Sequence, residues 1–283
     1  MSDNAYRWPD GKRIAIGVTV MLETWSEGKA PPYGVQATGL KPGTVDLGGI
    51  AWGSYGGKVG VWRLIDLLRR NNIRGTFCVN ARCAEIYPEA VAQIVKSGHD
   101  VGGHAYLQDQ LHAYLTPEEE QSMIRRCLDS LEKVSGMRPQ GWISPVMAYT
   151  EHTRKFLAAE KLIWHGDARD SDLPGVAQTD SGPIVHIPGS DFTDNRVLRS
   201  SSLDLWDVYR ETFDYLYNNE APAYLPISMH CHNGGRPMIS AMYQKIFKYM
   251  AQFPEVWFAS HAEIARWVLA HKLQADPRRL LKA

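Results

Sequence analysis

Apolar runs alternate with amphipathic stretches along most of the chain. Residues 13–22, Arg13-Ile-Ala-Ile-Gly-Val-Thr-Val-Met-Leu22, form one near-continuous apolar segment and read as a buried strand. Residues 24–57 are irregular and rich in Gly and Pro, a length of loop that inside a compact domain is usually functional. Val61, Leu64, Ile65 and Leu68 recur at helical spacing and predict a helix over 58–71. Residues 74–80 return to strand, Pro88–Ser97 is a helix closed by Gly98, and His99–His104 is a strand. Thr116-Pro-Glu-Glu-Glu opens a further helix with an N-cap, Pro at the first position and acids in the first turn; Gly136 ends it. Its apolar stripe is Met123, Cys127, Leu131 and Val134. Strands then follow over 140–144, 162–165, 184–187, 223–230 and 256–259, with helices over 151–160, 203–217, 238–253 and 261–269.

Repeated βα units spell a parallel sheet, closed or doubly wound. No GxGxxG and no GxxxxGK[ST] follows any strand, which disfavours nucleotide binding and a Rossmann sheet. The expected fold is a distorted (β/α) barrel of about seven parallel strands. No composition shift marks a second domain, so residues 1–283 are expected to be one domain with short N- and C-terminal extensions. The tail from Gln274 reads as a surface extension or an oligomer contact.

Composition narrows the partners. Formal net charge is +0 and the pI is near 7.1, so nothing electrostatic argues for nucleic acid or an anionic membrane. No apolar stretch is long enough to span a bilayer, and residues 1–8 lack the apolar core of a secretory signal. Cys78, Cys83, Cys127 and Cys231 form no CxxC pair; buried, reduced thiols in a cytoplasmic protein are the expectation.

Three strand ends carry chemistry: Glu23, His104 and His230. That is where an α/β barrel sets its catalytic groups. Glu23 is a candidate general base, and burial is expected to raise its pKa toward neutrality. His104 follows two glycines that allow close approach of a ligand, and His230 is the candidate acid for a leaving nitrogen. Each could instead be an ordinary paired or core side chain. His232 shares a face with His230 if the strand continues; otherwise it is a loop residue or a partner to the site. Asp167 and Asp172 could orient an imidazole, or be solvated loop acids. Tyr55, Trp142 and Trp52 could line a pocket for a flat polar ring, or pack in the core. Lys58 and Arg63 read as solvated. Ser144 and Ser228 lack a GxSxG elbow, which argues against an acyl-enzyme.

In these strand ends the chain resembles the polysaccharide deacetylases of carbohydrate esterase family four. Within that superfamily it is most similar to the metal-independent bacterial allantoinases. The segments that carry the resemblance run in order over roughly residues 10–270. They are Arg13-Ile-Ala-Ile ending in Glu23, Gly60-Val-Trp-Arg-Leu, Tyr87-Pro-Glu-Ala-Val, Gly98-His-Asp-Val-Gly-Gly-His104 and Arg138-Pro-Gln-Gly-Trp142. Asp172-Leu-Pro174, Met229-His-Cys-His-Asn-Gly-Gly-Arg-Pro237 and Val256-Trp-Phe-Ala259 complete the set.

The departures are informative. The resemblance implies two aspartates at the end of strand one, a base and a metal ligand; Met21 and Glu23 stand there. It implies two metal-binding histidines four residues apart; His104 and Gln108 stand there. An arginine that orients the base is replaced by Ile143, whereas the leaving-group histidine is matched by His230. A catalytic zinc wants three nitrogen, sulfur or carboxylate ligands. The expectation is therefore no cofactor, or a weakly held divalent ion on Glu23, His104 and Gln108 completed by water. The function implied is a hydrolase opening a small cyclic amide, imide or ureide, allantoinase-like, with Glu23, His104 and His230 catalytic. Tyr55, Trp142, Asp167 and His232 are assigned to substrate binding. A metal-dependent deacetylase of N-acetyl sugars and a non-catalytic binding protein are the alternatives left open. The partners expected are a small-molecule substrate and further copies of the chain, as a homo-oligomer up to a tetramer.

Overall fold

A computed structural model describes residues 6–34, 40–41 and 43–281. Part of the loop expected over 24–57 and the outermost residues of both termini lie outside the described residues.

The chain runs β1 (Ile14–Leu22), α1 (Leu47–Tyr55), α2 (Val61–Arg70), β2 (Thr76–Val79), α3 (Arg82–Ile86), α4 (Pro88–Lys96), β3 (Asp100–Gly103) and α5 (Pro117–Ser135). It continues through β4 (Gly141–Trp142), α6 (Thr153–Ala159), β5 (Trp164–His165), β6 (Gly175–Thr179), β7 (Gly182–His186) and α7 (Leu203–Asn219). The last elements are β8 (Ala223–His230), α8 (Pro237–Met250), β9 (Val256–Ala259) and α9 (His261–His271).

The strands form one sheet in the order β6-β7-β5-β4-β3-β2-β1-β8, with β9 paired to the first half of β1. All pairings are parallel except the β6–β7 hairpin. The expected (β/α) barrel is thus a curled half-barrel, with one parallel strand more than the expected seven and an added antiparallel edge. It does not close. Between β7 and β8 there is no ladder among the described residues, only a single bridge from Thr193 to Ser228.

Strand parity explains both the core and the site. In β1, Ile14, Ile16, Val18, Val20 and Leu22 pack outward into the layer shared with the helices. Ala15 and Met21 pack inward, in the smaller cluster with Cys78, Trp164 and Tyr224. Successive side chains in a strand take opposite faces, so Gly17, Thr19, Met21 and Glu23 form one inward row. In β8, Leu225, Ile227 and Met229 face the helices, and Tyr224, Ser228 and His230 face inward.

The Gly/Pro-rich stretch departs from expectation. Asp46 caps a helix by accepting from the Gly49 N–H, and the helix passes through a π-helical turn (Gly56–Gly60) directly into α2. The glycines do not mark a loop; they allow close packing. A methyl at Gly53 would meet Pro31 at 3.0 Å, one at Gly56 would meet the His232 nitrogen at 2.9 Å, and one at Gly60 would run into the Cys231 carbonyl. The segment therefore seats backbone to backbone on the turn after β8.

Candidate active site

Glu23, His104 and His230 converge at the C-terminal mouth of the half-barrel. His104 Nε2 lies 3.4 Å and His230 Nε2 3.8 Å from Glu23 Oε1. His232 Nδ1 is 3.8 Å from the other oxygen, Oε2, to which the Tyr33 hydroxyl donates at 3.3 Å. The carboxylate is 4% exposed, so these groups, not bulk water, set its charge state. The convergence is held from behind. Asn80, at the end of β2, accepts from the Thr24 N–H at 2.9 Å and donates to the His104 carbonyl, clamping the residue after Glu23 to the end of β3.

Each histidine has a distinct state. His104 Nδ1 lies 2.6 Å from the Ile143 carbonyl. A carbonyl only accepts, so Nδ1 carries the proton and, in the neutral ring, Nε2 presents a lone pair toward Glu23. His230 Nδ1 donates to Asp194 Oδ1 at 2.6 Å, and its backbone N–H donates to Asp194 Oδ2 at 2.8 Å. Burial works against a charged His230 ring, but the Asp194 and Glu23 carboxylates outweigh it and lift its pKa to about 9. His232 is fully buried against Trp25 and Trp52, and burial pushes it down to about 4, so it is neutral.

Glu23 reverses an expectation. Burial does push its pKa up, as expected, but the opposing pull of its surroundings, led by the charged His230 beside it, brings it down to about 2. The pair is ionised glutamate beside imidazolium.

Glu23, His104 and His230 line a cavity of about 450 Å³ together with Tyr33, Gln108, Asn195 and the apolar Met21, Ile143 and Ile187. Four predicted substrate contacts are placed elsewhere. Trp142 is completely buried, with its ring over Gly103 and its indole N–H donating to Ser144 Oγ at 3.2 Å. Tyr55 bonds the Gly235 carbonyl and stacks under Arg236 at 4.2 Å, outside the cavity. Trp52 packs on His232, which sits behind Glu23 and not on the cavity wall. Asp167 orients no imidazole. It accepts from the Ser144 N–H at 2.6 Å and the Ser144 hydroxyl at 3.0 Å, fixing the segment after β4; burial raises its pKa. The imidazole-orienting acid is Asp194, in a short turn between β7 and α7 that carries no periodic pattern by which sequence could find it. Tyr33, Asn80 and Asn195 were likewise not anticipated, because single polar residues in irregular chain give no spacing signal.

The donor set does not fit a firmly held zinc. Glu23 and His104 would be two ligands, and Gln108 offers an amide oxygen, a poor third. Among the described residues no three His, Cys, Asp or Glu side chains are grouped to hold an ion. His104 Nε2 and Gln108 Oε1, both buried without a hydrogen-bond partner, suit a neutral hydrogen-bonding molecule.

Known proteins agree with this architecture. The family profile described as polysaccharide deacetylase matches residues 50–162. A peptidoglycan deacetylase from Helicobacter pylori is 21% identical over 76% of this chain and 86% of its own. A crystal structure described as a "probable Polysaccharide deacetylase" from Pseudomonas aeruginosa PAO1 superposes with a TM-score of 0.84 at 28% identity, covering 96% of this chain and 97% of that one. The crystal structure of Puue allantoinase superposes with a TM-score of 0.83 at 27% identity, covering 96% of both chains. Residues 50–162 thus carry a polysaccharide deacetylase family domain match, and nearly the whole chain shares the fold of these solved structures.

Proposed function

We propose that this protein is an amidohydrolase that opens a small cyclic amide, imide or ureide by attack of water on a C–N bond. The observation that carries the reading is the ionised Glu23 set against a protonated His230, over a partly open cavity whose lining mixes apolar and polar side chains. Water held by Glu23 and the His104 Nε2 lone pair attacks the ring carbonyl. His104 positions that water; with its proton on Nδ1 it does not polarise the carbonyl. His230, charged at neutral pH, protonates the departing nitrogen. As His230 gives up its proton, Glu23 loses its nearest cation and becomes more basic, so the two transfers assist one another.

A carboxylate near pKa 2 is by itself a weak base, and this coupling is what makes Glu23 competent. The similarity to an allantoinase supports a cyclic substrate. Four free, buried cysteines support a reducing compartment, and no described helix is long and apolar enough to cross a membrane. Assembly into a homo-oligomer rests on the resemblance alone and is read by light scattering.

The test is a panel of hydantoin, allantoin, succinimide and dihydrouracil, followed by ring-opening absorbance before and after chelation. Chelator-resistant opening of a panel member is expected. Acetate release from N-acetylglucosamine oligomers that needs an added divalent ion would replace this reading with a metal-dependent deacetylase. Tight binding without turnover of either class would make the chain a binding protein.

A further inference from the structure

Beneath the catalytic level the inward row continues with polar groups that this mechanism does not use. β1 and β8 pair Met21 with His230 and, one inward rung lower, Thr19 with Ser228. Two residues of parallel strand span about 6.6 Å, the depth of a small heterocycle. His261, the first residue of α9, closes the bottom, with Nε2 2.9 Å from Thr19 Oγ1. All three side chains line the cavity, and all are at least nine-tenths buried.

These groups are incompletely satisfied. His261 Nδ1 has no hydrogen-bond partner, and the Ser228 hydroxyl makes none among the described residues. Just below, the buried Tyr224 hydroxyl is also without a partner; it lies over Gly17, where an added methyl would collide with it and meet His261 Cε1 at 3.1 Å. Polar atoms left this way in a protein interior are costly unless a ligand or water completes them. The walls above mix the apolar Met21, Ile143 and Ile187 with polar groups such as Gln108 and Asn195 that stand nearer the mouth.

We propose that Thr19, Ser228 and His261 form a polar floor that hydrogen-bonds the amide or imide group of the substrate farthest from the scissile bond, so that the site selects rings carrying a second amide. The proposal rests on the hydrolase reading for the identity of the ring. Burial pushes His261 down to about 3, so the floor is uncharged at neutral pH. A neutral imidazole and two hydroxyls offer both donors and acceptors, which matches a C(=O)–NH unit. A charged substituent would find no counter-charge on these three residues.

The experiment measures binding of hydantoin and of 2-pyrrolidinone by calorimetry in a Glu23→Gln background that suppresses turnover. The two rings share one lactam bond, and only hydantoin carries a second carbonyl and N–H. Ser228→Ala and Thr19→Val are each expected to weaken hydantoin about tenfold and to leave 2-pyrrolidinone within about twofold. Thr19→Ser, which keeps the hydroxyl, retains the preference. Equal losses on both rings, no loss on either, or failure of the unsubstituted floor to bind either ring would overturn the proposal. If Thr19→Val does not fold, Ser228→Ala and Thr19→Ser still decide it. Floor-dependent hydantoin binding with no ring opening by the wild-type enzyme would keep the floor and remove the hydrolase reading; ring opening indifferent to the floor would do the reverse.

Discussion

Asp194→Asn is the sharpest probe of the site. The substitution preserves shape and removes the buried charge that the His230 ring and backbone N–H both bond. In the native protein a His230 pKa of about 9 means that roughly 30 of every 31 rings are protonated at pH ~7.5. With Asp194 neutral, burial is opposed by Glu23 alone, and the pKa is expected to fall toward the ordinary 6.5. The protonated share then falls to about one tenth at the same pH, and a reaction that needs the imidazolium slows roughly tenfold and recovers on acidification.

Stability follows the same charge. A pKa raised in the folded state contributes stability that is complete below 6.5 and lost as pH rises through about 9. The span corresponds to about 3 kcal/mol, and the variant should lose that dependence. Urea unfolding at about pH 6 and about pH 9.5 reads the second effect; carbon-13 NMR of the histidine rings, with His230 assigned by substitution, reads the first. The reasoning is refuted if native His230 titrates near 6.5, or if its titration is the same with and without the Asp194 charge.

Glu23→Gln should lower turnover by about 10² to 10⁴ while the protein stays folded, and turnover within twofold of native would remove Glu23 from the reaction. The same carboxylate, with its pKa lowered to about 2, contributes stability that is present above 4.5 and lost as pH falls through 2, so Glu23→Gln should flatten the acid limb of urea stability. Gly60→Ala sets two effects against each other: helix propensity favours alanine by about 1 kcal/mol, but the new methyl meets the Cys231 carbonyl, and overpacking of that kind costs about 1–3 kcal/mol or more. A lowered Tm is expected, in contrast to Gly48→Ala, whose methyl would come no nearer than 3.5 Å to Asp46 Oδ1; a raised Tm at Gly60 would show that the contact is not tight.

Much of this was legible in the chain because strands announce themselves. β8 and β9 were bounded to the residue, and the three strand-end side chains were named from the apolar runs that precede them. α1 was not legible: its glycines look like loop, and the reason for them lies in Cys231 and His232, nearly two hundred residues away. β6 was missed because Gly175-Val-Ala-Gln-Thr179 is half-exposed and depends on its hairpin partner for its conformation. The site failed in sequence where it depends on charge balance. Burial of Glu23 was foreseeable, but the direction of its pKa turns on the His230 imidazolium, whose distance only the fold provides. Aromatic residues misled for the opposite reason, since Trp142 fills space beside Gly103 and never reaches the cavity.

The unlaced seam between β7 and β8 has a consequence for how this enzyme could diversify. Asp194 lies on the segment that leads from β7 into α7, anchored by the bridge at Thr193 and by its own bonds to His230. Lengthening or shortening that connection would spare the ladders that hold the remaining strands together. Its first casualty would be the acidity of one imidazole. Here the tuning of the reaction is separable from the strand ladders, though not from the stability that the paired charge contributes.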